Sequence, residues 1–131
     1  MSRPDRFRTP IKRARGLGSA KDGTHHWIVQ RITSVALIFL AIYVVALVVW
    51  LLGADYAAVR AAVAHPLNAL LLVAFVIAMF WHAQLGMQVI IEDYVHTPWL
   101  AVTSQLAVIF VCILAALASV LAVVRIALAG A

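Results

Sequence analysis

Three long apolar runs, separated by short polar breaks, set the plan of the chain. The first, VALIFLAIYVVALVVWLLGA at 35–54, carries no charge and is long enough to cross a bilayer. Trp27 and Arg31 lie at one end and Trp50 near the other, so the pattern predicts a helix over about 27–53. Asp55, Tyr56 and Arg60 then mark a short loop, 54–64, whose alanines suit partly helical structure along the membrane surface. His65-Pro66 opens a second helix over 66–95, because proline is well placed in a first turn. His65 reads as an interfacial or capping residue. This helix exceeds the ~20 residues a span requires, so it tilts or projects beyond the bilayer. The break His96-Thr97-Pro98-Trp99 precedes a third helix over 98–126, with Arg125 at its far end. Ala115, Ala116, Ala118, Ser119 and Ala122 allow close helix contact there. The expected fold is all-α, with three transmembrane helices.

Composition agrees. Of 131 residues, 66% are apolar and 11% charged, and the mean hydropathy is +1.04. A soluble domain of this size has too little interior to bury so much apolar surface. The net charge of +5 is unevenly placed, with eight of the ten Lys and Arg residues in the first 31 positions. Residues 1–22 form a basic arm, interrupted by Pro4, Pro10, Gly16 and Gly18, ahead of a membrane domain at 23–131. The arm has no apolar stretch of the kind a secretory signal needs. Its charge could bind nucleic acid or anionic lipid, but with an apolar segment directly after it the better reading is that it keeps the N-terminus in the cytoplasm. Three spans then place the C-terminus in the periplasm, in a multi-pass protein of a bacterial inner membrane. Cys112 is the one cysteine and lies within an apolar run.

Candidate chemistry centres on MFWHAQLGMQVIIEDYV, residues 79–95. A histidine within a membrane helix is costly to insert and marks a functional candidate. His82, Gly86 and Asp93 fall within about 40° of one another on a helical wheel. His82 lies roughly 16 Å deeper than Asp93, about half of a ~30 Å hydrocarbon core. Glycine at position 86 offers a bare flank for a flat cofactor, with its metal at His82. Two readings of His82 stand at this point: haem ligation, and a polar contact between packed helices. His25, His26, His65 and His96 all sit at span ends. A six-coordinate haem would therefore take its second axial ligand from another polypeptide. The chain has no CxxCH, which favours a b-type haem.

The helix ends offer a second group. The orientation places GTHHWIVQRITS (23–34) and Glu92-Asp93-Tyr94 on one side, so His25, Arg31, Asp93 and Tyr94 are expected to converge. Arg31 either snorkels to headgroups or neutralises an acidic group on a ligand. Tyr94 suits either a quinone carbonyl or the aromatic belt, and Asp93 either orients that donor or is a solvated helix end. No CxxC, HExxH, P-loop or nucleophile elbow is present, so no catalysis is expected from this chain alone. A transporter would call for broken helices in paired halves, a pattern the chain lacks.

Two motifs in order carry a resemblance. They are Gly23-x-His25-x-Trp27-x-x-x-Arg31, and His82-Ala83-x-x-Gly86-Met87 followed after five residues by Asp93-Tyr94-Val95. The chain resembles the hydrophobic membrane anchors of succinate dehydrogenase (respiratory complex II) from about residue 16 onward. The resemblance implies that His82 is an axial ligand of haem b and that Tyr94 and Asp93 belong to a ubiquinone site. It also implies that Arg31 and His25 lie near the haem propionates and the quinone pocket. The implied partners are a second three-helix anchor of cytochrome b type, an iron–sulfur subunit, a flavoprotein subunit and membrane lipid. Electrons from succinate would reach ubiquinone through the iron–sulfur centres. The doubled His25-His26 lies outside the motif and leaves open which histidine faces the site.

Overall fold

A computed structural model describes residues 21–129, with side chains described from residue 24. The basic arm expected at 1–22 lies outside the described residues, apart from Lys21 and Asp22. Four helices follow in order: α1 (Lys21–Trp50), α2 (Tyr56–Ala64), α3 (Pro66–Tyr94) and α4 (Pro98–Ala129). Three of them are long and apolar enough to cross a membrane: α1 from Thr24, α3 and α4.

Helix ends depart from the sequence-based expectations in small, explicable ways. Helix α1 begins at Lys21 rather than near Trp27, so the GTHHW segment is helical. It ends at Trp50, not 53. Gly53 takes a left-handed φ of 83°, which glycine adopts without steric cost, and the chain turns there. The 54–64 segment is fully organised as α2, capped by the Asp55 carboxylate, which accepts from Ala58 N–H at 2.8 Å. His65 joins α2 to α3 through its backbone: its N–H donates to Ala61 and Ala62, and its carbonyl accepts from Ala69 N–H. Its side chain makes no cap hydrogen bond. Helix α3 ends one residue early, with Val95 as C-cap. Helix α4 runs three residues past 126 because nothing after Arg125 breaks it.

The three long helices form a row. Helix α3 packs against both α1 and α4, whose backbones do not approach one another closely among the described residues. Helical geometry explains this. On α3, His82 and Gly86 share the side toward α1, while Gln84 lies about 200° round from His82, toward α4. Helix α2 closes one end of the row by packing on α3 and α4. Among the described residues only Leu85 and Ile91, both on α3, are buried. Phe39 is 70% exposed and Trp50 74%. Apolar faces of that extent need lipid or partner helices against them.

Candidate functional site

The α1–α3 seam holds most of the polar contacts between helices. The pairs Gln30–Gly86, Thr33–His82 and Tyr43–Asn68 run in opposite order along the two helices, so the helices are antiparallel. At mid-seam, Thr33 Oγ1 lies 3.0 Å from His82 Nδ1. The same hydroxyl oxygen lies 2.9 Å from the Val29 carbonyl oxygen and 3.0 Å from that of Gln30. This is the usual back-bonding of a hydroxyl within a helix, which satisfies its proton without water. His82 itself is half-buried.

One turn toward the Tyr94 end, α1 covers Gly86. A methyl group at its Cβ position would meet Gln30 Nε2 at 4.0 Å, an ordinary contact. The flank expected to be bare thus faces a polar side chain of α1. His26, Gln30 and Thr33 recur at i, i+4 and i+7, which places them on one stripe of α1. Three buried side-chain atoms lack a hydrogen-bond partner among the described residues: His26 Nε2, Gln30 Oε1 and Gln105 Oε1. Two of the three belong to this stripe.

The expected convergence of His25, Arg31, Asp93 and Tyr94 is not a contact network in this chain. All four are exposed, and no hydrogen bond or ion pair joins them among the described residues. Arg31 lies about 160° round α1 from Thr33. Its guanidinium stacks on the Trp27 ring, with Cζ 5.4 Å from the centroid, a cation–π contact. Of the doubled histidines, His25 is exposed, and His26 turns its Nε2 inward. Tyr94 is 77% exposed at the end of α3, where a partner or ligand has free access. Gln88 Nε2 donates to Glu92 Oε1 at 2.8 Å, an intrahelical contact that ties Glu92 down beside Asp93.

Four residues of the seam are not singled out by the sequence reading: Thr33, Gln30, Tyr43 and Asn68. The signal for the first two was present, as a polar stripe at helical spacing on an apolar helix. At the far end of the seam Tyr43 Oη donates to Asn68 Oδ1, and Asn68 Nδ2 donates to the Ala62 carbonyl at 2.8 Å. This links α1, α3 and α2.

The α3–α4 seam is of a different kind. It opens into a groove of about 420 Å³ lined by Ile77, Phe80, Trp81, Ile109 and Cys112, with Gln84 its polar member. No three His, Cys, Asp or Glu side chains gather to hold an ion among the described residues.

Comparison with known proteins bears on these geometries. The model of the succinate dehydrogenase/fumarate reductase transmembrane subunits matches residues 5–122. A succinate dehydrogenase hydrophobic membrane anchor subunit of Rickettsia bellii is 37% identical over 117 residues, covering 89% of this chain and 94% of the relative. The protein of the same name from Rickettsia conorii is 32% identical over 117 residues, covering 88% and 93%. That of Paracoccus denitrificans is 37% identical over 90 residues, covering 68% and 69%. No solved structure matches the chain.

Proposed function

The chain belongs to the succinate dehydrogenase/fumarate reductase transmembrane subunit family, and we propose that it anchors a succinate:quinone oxidoreductase in the bacterial inner membrane. It provides one axial ligand to a shared haem b and part of a ubiquinone site. The flavoprotein and iron–sulfur subunits dock on the cytoplasmic side, at the end that carries His25, Arg31 and Tyr94. A second anchor subunit covers exposed apolar faces of the helix row and brings the other axial histidine.

The observation that carries this reading is the placement of His82. It stands near the middle of α3, and Thr33 holds its Nδ1. Its Nε2 has no hydrogen-bond partner among the described residues. One free imidazole nitrogen at mid-membrane depth fits one axial position of a haem shared across a subunit interface. Haem supplies a one-electron redox centre. Tyr94, exposed at the helix end, donates a phenolic hydrogen bond to a quinone carbonyl. Asp93 beside it orients that donor or passes protons from the aqueous side. Arg31, held over Trp27, presents a cation at the same edge for a propionate. None of these residues performs chemistry on succinate.

The test is a reduced-minus-oxidised optical spectrum of the complex purified through this subunit, with His82→Ala beside the native form. Loss of the b-type signal, with flavin and iron–sulfur subunits still present, is the expected result. An unchanged haem spectrum in the variant removes His82 as ligand. Absence of flavin and iron–sulfur partners from the native preparation overturns the anchor role.

A further inference from the structure

We infer that Thr33 is a positioning residue for His82: its hydroxyl accepts from Nδ1–H, fixes the imidazole tautomer and leaves Nε2 with the free lone pair. The inference rests on reading His82 as a haem ligand and adds the group that prepares it.

Proton counting carries the assignment. A threonine hydroxyl has one proton and two lone pairs. That proton already has acceptors within α1, the Val29 carbonyl at 2.9 Å and the Gln30 carbonyl at 3.0 Å. With the proton donated to the helix, Oγ1 offers only a lone pair to the nitrogen 3.0 Å away. Nδ1 must then bear the ring proton. The opposite assignment would place N–H on Nε2, which meets no acceptor among the described residues, within a helix apolar enough to cross a membrane. A donor stranded there is the costlier arrangement. The favoured tautomer therefore leaves Nε2 deprotonated, the state a metal ligand requires.

A hydrogen bond at the far nitrogen does more than select a tautomer. It fixes ring orientation and raises ligand basicity, as outer partners of metal-bound histidines generally do. A more basic imidazole favours the ferric over the ferrous state, so the Thr33 contact lowers the haem potential. Because Thr33 stands on α1 and His82 on α3, the contact also makes ligand orientation depend on the packing of those two helices.

The test compares Thr33→Val, Thr33→Ser and His82→Ala in the purified complex. The readouts are haem retention, the optical redox titration and the electron paramagnetic resonance signal of the oxidised haem. Thr33→Val keeps the shape of threonine and removes the hydroxyl. It should raise the midpoint potential, shift the resonance signal and weaken haem retention by about tenfold, and Thr33→Ser should restore all three. Complete haem loss in the valine variant alone, in a complex with full flavin and iron–sulfur content, supports the inference equally. A valine variant with native potential and resonance signal overturns it. So does a serine variant as impaired as valine, since the methyl group rather than the hydroxyl would then matter. Haem retained in His82→Ala overturns the ligand reading itself, a separate failure.

Discussion

The two sides of α3 make opposite uses of one helix. Toward α1 it meets threonine, glutamine and tyrosine: two polar contacts each fix one pairing, Thr33 with His82 and Tyr43 with Asn68, while Gln30 lies beside Gly86. Toward α4 it meets isoleucine, cysteine and alanine across an apolar groove. Apolar packing between membrane helices is forgiving, because lipid tails are as apolar as leucine. A hydrogen bond in the same setting is directional and admits one register. On the proposed reading, the difference accounts for the place of His82 on the polar side. A haem-ligating His82 would have to present one nitrogen at a fixed angle, and the Thr33 contact of the polar seam lies on its other nitrogen.

The strongest way to break this comparison uses two polar residues of α3 that lie two positions apart. His82→Ala should abolish the haem spectrum, whereas Gln84→Leu, on the α4 side, should leave it intact. Equal losses from both would show that the haem depends on the general fit of α3, and the distinction between seams would fall. Tyr94→Phe comes next. Losing one phenolic hydrogen bond should slow ubiquinone reduction about tenfold. Succinate oxidation with a soluble acceptor should hold at the native rate, and unchanged quinone turnover would take Tyr94 out of the site.

A smaller effect is expected at the far end of the polar seam. Asn68→Leu removes both the Tyr43 contact and the tie to the Ala62 carbonyl. It should destabilise the folded subunit by about 1–2 kcal/mol, read by thermal or denaturant unfolding in detergent. Ile113→Val, at the groove, should cost about 1 kcal/mol or less, because one methyl is lost at a half-open surface. If the two costs prove equal, the polar seam has no special hold on the register. Smallest of all is Gly86→Ala. The added methyl meets Gln30 Nε2 at an ordinary 4.0 Å, so stability should change by less than about 0.5 kcal/mol. A large loss of haem in that variant would show that the complex brings the macrocycle against Gly86.

Much of this was legible in the sequence because helices are local. Apolar runs longer than a bilayer requires, bounded by His65-Pro66 and Thr97-Pro98, can form little else in lipid, where backbone groups must be satisfied within each segment. His82 stood out for the same reason: a titratable ring in such a run has a cost that calls for a partner. The α1 boundary was misplaced by several residues because GTHHW is polar, and polarity marks the edge of the membrane rather than the end of a helix. The alanines at 54–64 predict only partly helical structure, because a nine-residue helix gains its stability from an Asp55 cap and from packing on α3 and α4.

The chain itself determined that three helices span the membrane and that α3 carries a histidine, a glycine and an acid–tyrosine pair along its length. Tertiary structure alone decided which faces meet. Helices that are apolar nearly all round carry no amphipathic direction, so periodicity says which residues share a stripe but not which helix that stripe will meet. The arrangement in a row, the turning of Arg31 onto Trp27 and the pairing of Thr33 with His82 all depend on the angle at which α1 lies on α3. A few polar contacts fix that angle, and each needs both partners in space before it has any energy.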